Sequence, residues 1–458
     1  MLDLLHHSID DSDEAENWRN IADIEPSIWK EMNGQRWAVR HHYTCSYMAM
    51  FPPELPHYFI HKFTDVDDVV LDPFCGRGTT VVQAMSQLRF GIGNDYNELA
   101  FALSNGKISN PSKIKVIARL KTLEAAYERE KEHYLKQTKD VDSKIRMIYH
   151  DNTLAQLLFM KEQLKWRPEL RSDTHDSDRF ITMILMGAMH GSSSGFLSVS
   201  MPNTFSMGWK YVENYIAKHN LISPERDVFK VVRERCERTL KDGRMEGGGW
   251  VTNGDSKSKF TFKRRKDKTI KPGMVDLVFS SPPYLKVIKY GLYNWIRLWF
   301  LLESGNHVEI DEKLDDGHSL PNYLKFMEEV LSNIAPLMNP DTGVACWVIG
   351  DVSRGPKAPP IELANEVAMH ATTIDVRNSR GEKTSYRVLD IIEDRIDDES
   401  KVTKIWNSSD SDENRSGKAT NLDRILILCL ESADLEAIKR KMTGNKDIQW
   451  THPIIRRE

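Results

Sequence analysis

The segment Asp68-Val-Val-Leu-Asp-Pro-Phe-Cys-Gly-Arg-Gly-Thr-Thr constrains the fold of this 458-residue chain more than any other. A short β-rich run stops at Pro73 and two glycines, and residues 79–88 then read as a helix. A turn this tight needs a positive φ or a missing Cβ, which Gly76 and Gly78 supply. Phe90-Gly-Ile-Gly-Asn-Asp follows as a second short strand. Strand, glycine turn, helix and strand in this order form the opening half of a doubly wound α/β sheet.

Such a turn lets backbone approach a ligand closely at a helix N-terminus. Asp95 lies about 20 residues further on, at the end of the second strand, where a carboxylate can accept both hydroxyls of a ribose. The third glycine of the dinucleotide fingerprint is replaced by Val81, and Asp72 adds a second acid beside the turn. That acid would repel a pyrophosphate but suits an ammonium group. The expected ligand is a nucleoside bearing an amino acid.

A second segment, Asp276-Leu-Val-Phe-Ser-Ser-Pro-Pro-Tyr, carries chemistry. Its apolar run reads as a buried strand, and Pro282-Pro283 cannot continue a ladder, so the chain stops rigidly at the sheet edge. The Ser281 hydroxyl and the Pro282 carbonyl are two acceptors for the hydrogens of a planar amine. Tyr284 adds an aromatic ring that can stack on the heterocycle bearing it. A linear docking motif would share the Pro-Pro-Tyr letters but belongs in an exposed, disordered segment, not at the end of a hydrophobic strand.

Together these segments resemble the S-adenosylmethionine-dependent DNA amino-methyltransferases. Phe74-Cys-Gly-Arg-Gly matches that family's methionine-binding motif and Ser281-Pro-Pro-Tyr its catalytic motif. The resemblance extends to residues 41–60 with Phe51-Pro-Pro-Glu-Leu, to Gly93-Asn-Asp-Tyr-Asn, Asn253-Gly-Asp and Tyr290-Gly-Leu-Tyr-Asn-Trp. It implies a Rossmann-like class I methyltransferase fold. It also implies that Asp72, Phe74, Gly76 and Gly78 hold the methionine part of S-adenosylmethionine, Asp95 its ribose, and Asp255 lies near its adenine. Ser281, Pro282, Pro283 and Tyr284 would receive a flipped base of double-stranded DNA. The serine form of the motif is most associated with cytosine N4. Adenine N6 fits the same acceptor geometry, and an RNA base methyltransferase and a catalytically silent DNA-binding subunit complete the alternatives. A cognate restriction endonuclease is the partner that the family context adds.

A length prior of roughly 150 residues per domain suggests about three units, but the motifs point to one catalytic domain split by an insertion. Residues 1–34 form an acidic extension with Asp10, Asp11, Asp13 and Glu14, and residues 35–107 carry the cofactor motif. Residues 108–248 read as a mostly helical insertion and candidate target-recognition region, with helices over 116–136, 141–166 and 228–240 and an ordered loop over 189–207. It falls between the Asp95 and Asp255 motifs, not after the latter. Residues 249–458 return to β/α alternation, with strands over 249–255, 275–281, 343–351, 387–392 and 424–430, a helix over 323–338, and a polar loop over 407–417.

Composition excludes several classes. With 40% hydrophobic and 28% charged residues the chain is neither disordered nor collagenous. No apolar run approaches the roughly 18 residues of a membrane span, and no secretory signal is visible, which fits a cytoplasmic protein. The five cysteines are scattered singly, against a disulfide framework or a cysteine zinc site, and methyl transfer by this route needs no metal. Cys75 and Cys346 are poorly placed for nucleophilic attack on a pyrimidine ring. The net charge of −4 does not exclude DNA, because Lys263, Arg264, Arg265 and Lys266 concentrate positive charge just before the catalytic strand. That run is either a phosphate contact or a solvated loop.

Overall fold

Successive residues along the central strands face opposite sides of a sheet buried on both. Val69, Leu71, Val278, Ala345 and Trp347 point into one apolar core, and Val70, Leu277, Phe279, Val344 and Cys346 into another. Continuous apolar runs of this kind need helices on both faces. The computed structural model describes residues 24–32, 37–48, 50–167, 173–201, 207–258, 263–264, 268–269, 271–283, 290–314, 319–353, 359–395, 418–444, 448, 450 and 455–456. The acidic cluster at 10–14, the loop over 407–417, and Arg265, Lys266 and Tyr284 lie outside them.

The sheet contains β1 (Val69–Asp72), β2 (Phe90–Asp95), β3 (Gly249–Asn253), β4 (Leu277–Ser280), β5 (Val344–Ser353), β6 (Tyr386–Arg395) and β7 (Lys418–Leu430). Their spatial order is β3-β2-β1-β4-β5-β7-β6. β3, β2, β1, β4 and β5 pair in parallel, whereas β7 is antiparallel to both β5 and β6. This is the doubly wound, Rossmann-like arrangement expected from the sequence.

The helices used below are α1 (Glu54–Phe63), α2 (Thr79–Ser86), α3 (Glu98–Ser109), α4 (Lys113–Gln137), α5 (Asp151–Gln163), α6 (Asp173–Ala188), α7 (Trp209–His219), α8 (Val228–Thr239), α9 (Trp295–Leu301), α10 (Leu320–Ile334), α11 (Leu363–Thr373) and α12 (Leu435–Gly444). α10 and α11 cover one face of the sheet, and α1, α2 and α12 contribute to the other. Among the described residues no helix is long and apolar enough to cross a membrane.

The helices of the insertion do not form a core of their own. Leu120 and Tyr127 of α4, Phe159 of α5, Ile181 and Leu185 of α6 and Phe229 of α8 share one apolar cluster with Val81 of α2, Leu99 of α3 and Trp295 of α9. α3 is consequently buried from Leu99 to Ile108. Its Gly106 admits α6 so closely that a Cβ there would lie 2.3 Å from Met183 Cβ and 2.7 Å from the Arg179 carbonyl.

Gly106→Ala should therefore destabilise the chain by about 1–3 kcal/mol through overpacking, against the roughly 1 kcal/mol that Ala ordinarily gains over Gly inside a helix. Urea denaturation would measure it; a variant at least as stable as the wild type would mean that α6 is not packed in this way.

Candidate active site

Because β1, β2 and β4 are parallel, their carboxyl ends open on one edge, and the chain order reverses between β1 and β4. Open α/β sheets bind ligands in the crevice at such a switch point. Asp72 ends β1, Asp95 ends β2, and Ser281 directly follows β4. Topology alone thus brings residues about 200 positions apart to one edge.

Side chains then lock them. The Ser280 hydroxyl donates to Asp72 Oδ1 at 2.6 Å, and the Phe74 N–H reaches the same oxygen at 3.2 Å. Asp72 is only 1% exposed. Burial pushes its carboxyl up to about 7 despite these hydrogen bonds. The Thr80 hydroxyl, 3.3 Å from the Phe279 carbonyl, fastens the start of α2 to β4.

Both glycines of the turn are left-handed, with φ of 49° at Gly76 and 80° at Gly78. At Gly78 a Cβ would also lie 2.9 Å from Ser104 Cβ, so conformation and packing exclude a side chain together. The Cys75 N–H donates to the Asn94 carbonyl at 2.9 Å, and the Gly76 N–H to Asp95 Oδ2 at 2.8 Å. Asp95 Oδ1 accepts the Asn97 N–H at 2.8 Å, and burial raises this carboxyl to about 6. Val81, where a fingerprint glycine would stand, is accommodated by glycines on β2. A Cβ at Gly91 would be 2.6 Å from the Val81 carbonyl, and one at Gly93 would be 2.9 Å from Val81 Cγ2.

A buried basic cluster braces the turn from behind. Lys107 Nζ, wholly buried, donates to the Arg77 carbonyl at 2.7 Å. The Arg77 guanidinium donates to the carbonyls of His42 at 2.9 Å and Cys45 at 3.2 Å. Burial pushes Lys107 well below the usual lysine range, and burial together with the Lys107 charge lowers His41 to about 4. The clasped segment carries Tyr47 to a point where its ring lies 3.5 Å from a Cβ built on Gly76. The Tyr47 hydroxyl accepts from Asn97 Nδ2 at 3.0 Å, and its ring stacks on Tyr290 with centroids 5.7 Å apart. Tyr290 belongs to the segment after the Ser281 motif, so this pair joins the two motif regions.

Asp255 reaches the same edge through polar links. Asn94 Nδ2 donates to the Gly254 carbonyl at 2.7 Å and to Ser256 Oγ at 3.0 Å, while Ser256 Oγ donates to the Pro73 carbonyl at 2.6 Å. Asp255 itself accepts the Lys257 N–H at 2.9 Å. Phe74 turns the other way, towards Phe326 at 5.6 Å and Trp347 at 6.5 Å. Pro282 is buried, and Ser281 and Pro283 are half-buried at the end of β4. Lys263–Arg264 forms a two-residue strand paired with Lys268–Thr269 and adjoining β3, with β2 and β1 between β3 and β4. All five cysteines are buried and free, and burial raises the Cys75 and Cys346 thiols well above their usual range, away from the nucleophilic thiolate.

Tyr47, Lys107 and Ser280 are the participants that motif reading missed. Ser280 alone had a local signal, as the residue before Ser281. Tyr47 lies inside the matched stretch over 41–60 but is not singled out by it, and Lys107 had no signal, because the fold brings both to the turn from other elements.

Residues 5–105 match a DNA methylase family model. Over 62 residues the chain is 36% identical to the Type II methyltransferase M.MjaII of Methanocaldococcus jannaschii, which covers 14% of this chain and 12% of that protein. Over 50 residues it is 44% identical to the Type II methyltransferase M.MjaI of the same organism, covering 11% of this chain and 16% of that one. The matched stretches thus span less than a fifth of either relative. Superposition on the rRNA methyltransferase aviRa from Streptomyces viridochromogenes covers 87% of this chain and 88% of that one at 9% identity, with a TM-score of 0.25, too low to bear on fold or substrate.

The raised Asp72 carboxyl has a signed consequence. Its neutral form is favoured in the fold, so the stability it contributes is complete below its ordinary value of 3.8 and is lost as pH rises through about 7. Between about pH 4 and 7 the ligand-free wild type should lose stability relative to Asp72→Asn, which cannot ionise, and the difference should level off above that range. Parallel melting profiles for the two proteins would reject the assignment.

Proposed function

We propose that this chain, a member of the DNA amino-methyltransferase family by the match of its residues 5–105, transfers a methyl group from S-adenosylmethionine to N4 of cytosine in double-stranded DNA. The observation that carries the reading is the hydrogen bond from Ser280 to Asp72, which sets the Ser281-Pro-Pro stop against the glycine turn. The choice of cytosine rests on Ser281, the serine form of the motif, and a cognate restriction endonuclease belongs to the reading by the same resemblance.

The residues on this edge suit the donor. Gly76 leaves backbone without a Cβ beneath the Tyr47 ring. Asp95 spends one lone pair of each carboxylate oxygen on the turn and on Asn97, and retains one on each for two ribose hydroxyls. Asp72, ionised when an ammonium group lies beside it, provides negative charge for that group, Gly78 and Phe74 shape the turn around the methionine part, and Asp255 lies on the adenine side. When bound, S-adenosylmethionine supplies an electrophilic methyl group on its sulfonium.

The chain's own residues do the rest by alignment. The Ser281 hydroxyl and the Pro282 carbonyl accept the two hydrogens of the exocyclic amine. That favours a pyramidal nitrogen whose lone pair leaves the ring and faces the methyl group, so that the N–C bond forms as the S–C bond breaks to leave S-adenosylhomocysteine, and the nitrogen releases one of its two hydrogens to solvent as a proton. Pro283 keeps the acceptors rigid. Tyr284 stacks on the extruded base, and the insertion over 108–248 contributes to target recognition. The buried, protonated thiols argue against covalent attack on the pyrimidine ring.

Incubation with plasmid DNA and isotope-labelled S-adenosylmethionine, followed by nucleoside mass spectrometry, tests the reading. Labelled N4-methylcytosine is the expected product. Labelled N6-methyladenine would move the target to adenine, and label in RNA alone would overturn the DNA substrate. Tyr284→Ala should lose about 1–3 kcal/mol of base affinity through stacking; an unchanged methylation rate at subsaturating DNA would remove that role.

A further inference from the structure

We propose that α7 lies against the DNA beside the target base, with Lys210 and Lys218 on phosphates and Asn214 facing the base edges. The proposal rests on the DNA reading above and names the part of the insertion that contacts the duplex.

The first support is position. Trp295 Nε1 donates to the Met207 carbonyl at 2.8 Å, and a Cβ on Gly208 would stand 3.7 Å from Leu292 Cδ1. Both partners lie in the segment that follows the Ser281 motif. Two residues before Leu292, Tyr290 stacks on Tyr47, which lies over Gly76. Direct contacts thus connect the start of α7 to the cofactor turn.

The second support is the exposed face. Val212 is fully buried and fixes the inward side of the helix, while Lys210, Tyr211, Asn214 and Lys218 are exposed. Residues 210, 214 and 218 are four apart and form one stripe about 12 Å long. That length matches the roughly 12 Å width of the DNA major groove, so the terminal ammonium groups can reach phosphates while the central amide meets base edges. Among the described residues neither Lys210 nor Lys218 forms an ion pair. Glu213, the helix's carboxylate, sits about 100° round the axis from Asn214 and about 60° from Lys210, on the side of the stripe away from Tyr211.

Charge at the start of the helix adds to the stripe. Lys210 Nζ lies 5.5 Å from the centre of the Trp209 ring, and Lys144 Nζ, which also pairs with Asp142 at 4.0 Å, lies 4.7 Å from it. Tyr211, 44% exposed, stacks on Tyr215 with centroids 6.2 Å apart and presents an aromatic surface beside the stripe. Cations, an amide and an aromatic ring on one exposed face suit a phosphate-bearing duplex better than an apolar protein surface.

The test is fluorescence anisotropy on a labelled random-sequence DNA duplex over a salt series, comparing the full-length wild type with Lys210→Ala/Lys218→Ala. Loss of two phosphate contacts should flatten the slope of log affinity against log salt by about 1.8. Binding of S-adenosylhomocysteine, read by calorimetry, and the melting temperature should stay at wild-type values. An unchanged slope and affinity would overturn the role of α7 while leaving the methyltransferase reading standing. A wild type that binds S-adenosylhomocysteine but no DNA duplex, or that binds an RNA duplex through the same lysines in preference to DNA, would overturn the proposed occupant. A wild type that binds neither S-adenosylhomocysteine nor duplex would overturn the underlying reading as well.

Discussion

The hydrogen bond between Ser280 and Asp72 is the contact on which the rest of the edge depends. β1 and β4 are neighbours at the switch point, but backbone pairing alone leaves the chain beyond each strand free to diverge. A hydroxyl donating at 2.6 Å to a carboxylate with almost no solvent access ties the two exits together. Above about pH 7, where Asp72 is ionised, such a hydrogen bond to a charged group contributes about 1.5–3 kcal/mol net, and leaving a buried acceptor unsatisfied costs a similar amount. Everything downstream of either strand, the glycine turn on one side and the Ser281-Pro-Pro stop on the other, takes its position from that junction.

The turn is then overdetermined from several directions. Cys75 and Gly76 are tied to β2, Lys107 holds the Arg77 carbonyl, and Arg77 in turn holds the segment that delivers Tyr47. A lysine buried among other basic groups is costly, and it holds the Arg77 carbonyl behind the left-handed turn. The insertion is part of the same construction. Its α6 packs on α3, whose end supplies Lys107, and its shared core reaches α9 after the Ser281 motif. Contacts made by the insertion therefore have a short, packed route to both motifs.

The strand–turn–helix–strand unit was legible because each part has a local cause: β-branched residues at Val69 and Val70, Pro73 as a stop, and two glycines at positive φ. The helices expected over 116–136 and 228–240 appear as α4 and α8, since their charged faces leave a clear helical period. α6 was not legible. Its run Phe180-Ile-Thr-Met-Ile-Leu-Met is buried on all sides and so carries no period to detect. The single helix read over 141–166 is broken, with Ser143–Arg146 and α5 separated near Tyr149, whose hydroxyl donates to the Met189 carbonyl. Tertiary contact decided that break. For the same reason the motifs disclosed Asp72, Asp95 and Ser281 but not their neighbours. Lys107 carries no motif of its own, and the need for glycine at 91 and 93 appears only once α2 is packed against β2.

The most direct measurement of this account is a double-mutant cycle on Asp72→Asn and Ser280→Ala, read by urea denaturation at a pH above the raised Asp72 carboxyl. If the two side chains join the motifs as described, the single changes will be non-additive, with a coupling energy of about 1 kcal/mol or more. Strictly additive effects would contradict the junction, and with it the physical basis for treating the glycine turn and the Ser281 motif as one site.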